Sequence, residues 1–221
     1  MRREQSPREK EAREREVAEW VPRTRIGKLV KEGRITSLED IFKSCDIIRE
    51  SEIVDTLVQN LEEEVIDINL VQKQTESGEK SKFKATVIIG NGKGLVGLGE
   101  GKAKEVGPAI KKAVKQAKLN IIPVRCGCGS WECNCGEVHS LPFKIGGKSG
   151  SVRITLVPAP KGVGLAIADV PKTVLRLAGV KDIWSYAKGH TRCTVNFAKA
   201  TFSALRRTYA IVSPKDWAGG I

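Results

Sequence analysis

Between Val65 and Lys118 the apolar residues change period once, from alternation to helical spacing, and no other feature limits the fold as tightly. Ile66, Ile68 and Leu70 alternate with Asp67, Asn69 and Val71, as in a half-buried strand. Ser77-Gly78, inside Thr75–Lys80, signals a turn. Phe83, Ala85, Val87 and Ile89 then line one face of a second strand. Asn91-Gly92 is the strongest short hairpin signal available, and Leu95, Val96 and Leu98 continue as a third strand. Pro108 suits the first turn of a helix, where its missing N–H costs little. Ile110, Ala113, Val114 and Ala117 form the apolar face of that helix, with Lys111, Lys112, Lys115 and Lys118 largely opposite. The pattern predicts strand, strand, strand, helix.

A second module starts near Leu141. Leu141, Phe143 and Ile145 alternate, as do Val152, Ile154 and Leu156, and Gly146-Gly147-Lys148 reads as the turn between them. Pro158–Gly164 is a Pro/Gly loop. Pro171 opens a helix that Gly179 closes, with Val174, Leu175 and Ala178 inside. Trp184 and Tyr186 suggest another strand, and Phe197, Thr201, Ala204 and Leu205 a last helix with Lys199, Arg206 and Arg207 outside. Ahead of the first module, residues 1–20 are nearly free of apolar side chains and read as a tail. Ser37 and Asp40 resemble an N-cap pair opening a short helix, and Ser51–Asn60 carries Ile53, Val54, Leu57 and Val58 on one helical side. The expected plan is α+β: an extension over 1–50, a first domain over 51–124, a Cys-rich insert over 125–140, and an α/β domain with a tail over 141–221.

Charge narrows the function. Lys and Arg number 38 against 26 Asp and Glu, a net +12, which favours a polyanionic partner through Coulomb attraction and counterion release. A merely basic enzyme is the competing reading. Residues 39–67 hold 2 basic and 10 acidic side chains, whereas residues 68–221 hold 25 basic and 9 acidic. The positive charge therefore belongs to the globular part, and the acidic segment faces a protein or solvent. No apolar run approaches the roughly 20 residues that span a bilayer. The N-terminus MRREQSPREKEARERE has no apolar signal core, so a cytoplasmic protein without a membrane partner is expected. Aromatics are 5% of the chain, so phosphate and shape contacts are expected to outweigh base stacking.

Three motifs carry chemistry. Gly92-Lys-Gly94-Leu-Val-Gly97 matches G-x-G-x-x-G, extended by Gly99 and Gly101. A dinucleotide loop needs a helix directly after the glycines, and these lie in a hairpin and its second strand. A kinase loop would need Asp-Phe-Gly and His-Arg-Asp elsewhere, and neither occurs. Gly147-Lys148-Ser149 resembles the end of a P-loop, but its required earlier glycine falls on Pro142. No nucleotide cofactor is expected. Bare glycine backbone suits close approach of another chain, and the lysines nearby point to RNA; glycines serving only turn and strand twist are the plainer reading. Lys111-Lys112-Ala-Val-Lys115 suits the basic helix of a double-stranded-RNA reader, or an ordinary solvated face.

Cys126, Cys128, Cys133 and Cys135 form C-x-C-x4-C-x-C, with His139 a substitute for one of them. Four thiols in an insert with little core suggest a tetrahedral metal, zinc for preference, although C-x-C is tighter than the usual spacing. Free thiols or a disulfide are the alternatives. Cys45 and Cys193 are isolated and read as core residues. No nucleophile–base pair stands out: His139 and His190 are far apart, and acids are scarce in both modules, so no enzyme is expected.

Two long stretches resemble one known family. FKATVIIGNGKGLVGLGEGKAKEVGPAIKKAVKQAKLNIIPV, Phe83–Val124, resembles the first domain of the universal fifth protein of the small ribosomal subunit. PAPKGVGLAIADVPKTVLRLAGVKDIWSYAKGHT and NFAKATFSALRRTY, within Pro158–Tyr209, resemble its second domain. The Cys insert, the N-terminal extension and the tail SPKDW resemble the archaeal branch. The resemblance implies a double-stranded-RNA-binding-like domain of three strands and a helix, then a domain of left-handed βαβ type. It also implies a place on the small-subunit body near the mRNA entrance, contacts with small-subunit rRNA and with the fourth and eighth proteins, and a part in decoding accuracy and mRNA unwinding. No homo-oligomer is implied. The loop Thr75–Ser81 is implied to reach the head–body hinge, although Ser77-Gly78-Glu79-Lys80 stands where many relatives have Gly-Gly-Arg. A free double-stranded-RNA-binding regulator is the main rival, and a small kinase of the related fold the second.

The residues expected to neutralise phosphate are Arg23, Arg25 and Lys28 near the N-terminus and Lys80, Lys82 and Lys84 around the first hairpin. Lys93, Lys102 and Lys104 among the glycines, Lys111, Lys112, Lys115 and Lys118 on the helix, and Lys148, Arg153, Lys161, Lys188 and Arg192 in the second module complete them. Gly90, Gly92, Gly94, Gly97, Gly99, Gly101, Gly162 and Gly164 are expected to admit the RNA backbone.

Overall fold

A computed structural model describes residues 20–44, 46–58 and 60–211. The tail read over residues 1–20 (all but Trp20), the core role of Cys45 and the tail SPKDW lie outside the described residues. The chain divides into two compact units, one running up to Asn91 and then Gly97–Pro123, the other comprising Gly92–Val96 and everything from Val124.

The first unit opens with three short helices, α1 (Arg25–Lys31), α2 (Leu38–Lys43) and α3 (Ser51–Leu57). Ser37 caps α2 as its spacing predicts, its Oγ accepting from the Asp40 amide at 3.3 Å. Helix α1 is not evident in the sequence, because its basic residues hide a two-residue apolar core of Gly27 and Val30. The sheet runs β1 (Glu62–Thr75), β2 (Gly78–Gly90), β3 (Leu95–Ala103) and β4 (Ile121–Pro123) in that order, and helix α4 (Val106–Leu119) covers one face. β4 adds a fourth strand to the three expected. Ala85, Val87 and Ile89 from β2 pack on Ala109, Ala113, Val114 and Ala117 from α4, as the alternation indicates.

Two expectations fail on the β1–β2 ribbon. The two strands pair from Glu62↔Gly90 out to Thr75↔Gly78 with a bulge between Val65 and Asp67, so the expected loop Thr75–Ser81 is a turn of Glu76 and Ser77. Its sharpness needs Gly78, at φ 109°. β1 is the edge strand and α4 lies over β2, so Ile68 and Leu70 are 41% and 54% exposed rather than half-buried, although their β2 partners Ala85 and Phe83 pack on the helix cluster.

In the second unit β5 (Ile145–Ser149), β6 (Val152–Pro158), β7 (Leu165–Ala166) and β8 (Ile183–Lys188) form a sheet in the order β5-β6-β8-β7. All neighbours are antiparallel except β7 and β8, which are parallel and joined through α5 (Asp169–Ala178), a βαβ unit. α6 (Thr194–Arg206) packs across β5 and β6. Gly179, at φ 88°, ends α5 as predicted. Cys193 is a half-buried N-cap of α6, not a core residue.

Gly146-Gly147-Lys148 is not a turn; it lies inside β5, and the turn falls at Gly150 and Ser151. A Cβ on Gly147 would overlap the Ala200 carbonyl of α6, so the glycine is there for helix packing. Leu141 is fully buried and Phe143 half-buried, but both precede the strand.

Candidate RNA-facing surfaces and a candidate metal cluster

The glycines of β3 face inward. Gly97, Gly99 and Gly101 alternate, so all three share one face, and a Cβ on any of them would overlap the backbone of Ala117, Ala113 or Ala109 in α4. Gly92 and Gly94 belong to the second unit, where their amides donate to the Leu177 and Ala178 carbonyls at 2.9 and 3.0 Å. They satisfy helix-end acceptors that have no partner within α5. The backbone that approaches these five glycines is therefore the chain's own. Gly90 is buried at the end of β2.

The basic residues separate into three kinds. Lys111, Lys112 and Lys115 are exposed on α4, as are Lys102, Lys104, Lys80 and Lys82 on and beside the sheet, and Lys93 in the β2–β3 loop. Lys84 is half-buried and pairs with Glu100 at 3.0 Å. Lys118 leaves the predicted surface set: it is 5% exposed, and its Nζ lies 2.7 Å from Asp55 of α3. An ammonium so placed is held by its carboxylate and not offered to phosphate. Arg23, Arg25 and Lys28 are exposed in a segment fastened by Glu50, whose carboxylate accepts from the Arg23 and Thr24 amides and the Trp20 indole at 2.6–2.9 Å.

Strand register brings together what spacing does not. Lys148 pairs with Arg153, and Arg153 with Lys188, so three exposed cations form one row across β5, β6 and β8. In the next row Tyr186 pairs with Thr155 and is 62% exposed on the same open face. Like charges directly opposite on neighbouring strands destabilise a sheet, and an anion laid along the row removes that cost. Arg192 is exposed in the loop after β8, and Lys161 is exposed but pairs with Glu137 at 2.6 Å.

The Cys-rich insert closes through reciprocal bonds between Gly127 and Ser140. One ligand atom from each of Cys128, Cys133, Cys135 and His139 lies within 4.8 Å of the others. The group brought together has His139 in the place of Cys126, the substitute the spacing allowed, and the Cys126 thiol is half-buried and pushed up by burial. The Cys128 and Cys135 sulfurs are 3.7 Å apart, and Cys133 Sγ is 3.6 Å from His139 Nε2. Bonds of about 2.3 Å to sulfur and about 2.0 Å to nitrogen put tetrahedral edges at about 3.8 and about 3.5 Å, so these two edges match a tetrahedral ion and the four donors lie within reach of one. The Lys161 N–H lowers the Cys133 thiol to about 6, whereas burial, reinforced by hydrogen bonds to Cys135 and Cys133, pushes Cys128 up to about 11.

Sequence reasoning missed Asp182. Its Oδ2 is 2.9 Å from the buried His139 Nδ1, and its Oδ1 accepts from the Gly162 and Gly164 amides at 3.1 and 2.8 Å. With Nδ1–H donated to that carboxylate, Nε2 turns its lone pair to the cysteines. Asp182 lies 43 residues from His139, so no local motif announces it. Gly162 and Gly164 hold positive φ, 96° and 72°, and a Cβ on either would meet open space.

Two sheet-and-helix units with exposed cationic faces define a basic α+β scaffold of the nucleic-acid-binding class. Comparison with known proteins makes the class specific. Residues 61–125 match the family model of the ribosomal protein S5 N-terminal domain, and residues 147–218 that of its C-terminal domain. The chain is 56% identical over 210 residues to small ribosomal subunit protein uS5 of Aeropyrum pernix, covering 95% of this chain and 96% of that one. It is 60% identical over 201 residues to the protein of the same name from Methanothermobacter thermautotrophicus, covering 90% and 93%. The chain belongs to the ribosomal protein S5 family. Among the described residues, no helix is long and apolar enough to cross a membrane.

Proposed function

We propose that this chain is a structural, non-enzymatic constituent of the small ribosomal subunit that binds its rRNA. Family membership across both domains carries the reading. The Lys148–Arg153–Lys188 row and the exposed α4 lysines supply the physical means, since each cation set against a phosphate releases counterions. The protein acts by position: phosphate contacts fix the register of two RNA elements on two rigid sheets. Following the family, it sits on the body near the mRNA entrance in the cytoplasm, touches the fourth and eighth small-subunit proteins, and supports decoding accuracy and mRNA unwinding. It enters the particle as a single copy.

The Cys128, Cys133, Cys135 and His139 cluster holds zinc. Three thiolates and one imidazole in tetrahedral reach suit this borderline-soft ion, and the insert has little apolar core to fold around otherwise. Sucrose-gradient fractionation of lysate tests the main reading. The protein should travel with small subunits at low magnesium; a pool found mainly in the light fractions makes it a free double-stranded-RNA-binding regulator instead.

A further inference from the structure

The loop that follows β6, Ala159–Gly164, has little secondary structure to hold it. Three of its amides are directed at the metal cluster and the carboxylate behind it, while Ala159 N–H donates to Ser140 Oγ and Val163 N–H to the Pro160 carbonyl. The Lys161 N–H bonds the Cys133 sulfur. The Gly162 and Gly164 amides both donate to Asp182 Oδ1. The other oxygen of the same carboxylate holds His139 Nδ1. Asp182 is buried, so these bonds are made in a low-dielectric setting where an unfilled acceptor is costly. The insert has no apolar anchor that would fix His139 and Cys133 alone: Trp131 is 91% exposed and Val138 is also exposed.

From this geometry we propose that Asp182 is the positioning residue of the metal cluster, and that metal occupancy, through Asp182 and Cys133, sets the conformation of the Ala159–Gly164 loop. The proposal rests on the zinc reading above. An ion bound to His139 Nε2 and Cys133 Sγ immobilises both groups, and through them the three loop amides. Without it, Asp182 still holds His139 and the glycine amides, but Nε2 and the Cys133 sulfur lose their common partner, and the loop is held less firmly against its chain entropy. The loop carries Lys161 and two glycines with no side chain between backbone and surroundings, so metal loading would preset a surface for RNA backbone. Asp182→Asn isolates the link. An Asn side chain that keeps its oxygen on the glycine amides turns its NH2 toward His139, which favours the tautomer with a proton on Nε2 and blocks ligation.

The experiment uses the full chain with zinc as the probe. Affinity is read by competition with a chromophoric chelator, and hydrogen exchange of the 161–164 amides is followed in the loaded and stripped protein. Loading should slow exchange at Lys161, Gly162 and Gly164 by about ten-fold or more, while amides of β6 stay unchanged. Asp182→Asn should weaken zinc binding by about 10- to 100-fold. Zinc bound with unchanged loop exchange, or β6 accelerating as much as the loop on stripping, overturns the proposal and leaves the zinc reading standing. Wild-type chain that takes up no zinc overturns both. The loaded-against-stripped comparison needs no variant, so a misfolded Asp182→Asn protein does not blunt it.

Discussion

Single residues here change meaning with their neighbours. Lys118 differs in no visible way from Lys115, yet it faces Asp55, 63 residues away, and is a buried tie where its neighbour is a surface charge. Cys126 and Cys128 form an identical C-x-C step with Cys133 and Cys135, yet only Cys128 reaches the cluster, because the Gly127–Ser140 closure brings His139 in. The consequence is measurable by elemental analysis of purified protein. Cys126→Ser should retain zinc in full, whereas Cys128→Ser and Cys133→Ser should lose it, since a tetrahedral ion deprived of one thiolate binds far more weakly. Equal loss in all three variants would return Cys126 to the ligand set.

Elements show why glycine-rich stretches mislead. The glycines of β3 look like a phosphate cradle because the same property, a backbone without Cβ, serves any close approach. Helix α4 makes that approach, its Ala109, Ala113 and Ala117 seated on Gly101, Gly99 and Gly97. Gly147 plays the same part beneath α6. Gly99→Ala should therefore destabilise the protein by about 1–3 kcal/mol, the usual cost of overpacking, and lower Tm by about 2–4 °C for each of them. Gly107→Ala, in the first turn of α4 with nothing near its Cβ, should instead stabilise by up to about 1 kcal/mol. Thermal denaturation of the pair checks the sign of each. A neutral Gly99→Ala would mean that the helix rides higher on the sheet.

At the scale of the whole molecule, the net charge of +12 is arranged and not merely carried. Within each unit helices cover one face of the sheet, and the open face of the second sheet keeps the Lys148–Arg153–Lys188 row. Replacing all three with Ala should lower the slope of log affinity against log salt for small-subunit rRNA by about 2–3. The isolated fold should be no less stable, because the change removes repulsion between neighbouring strands. Filter binding across a salt series reads this directly. An unchanged slope would assign that face to protein or solvent.

Hydrophobic period, caps and turn residues act within a few positions, so they were legible in the chain: the α4 face, the Ser37 cap, the Gly179 stop and the β6 alternation all stand where the residues put them. So was the family, because long motif runs carry it. What depended on groups distant in sequence was not legible. The edge position that leaves Ile68 and Leu70 exposed, the fourth strand, the cation row and the Asp182 link each arise from register or from partners dozens of residues apart. Local chemistry says what a residue is able to do; only the packed chain settles which neighbour it does it with, since burial and hydrogen-bond satisfaction are properties of the whole fold.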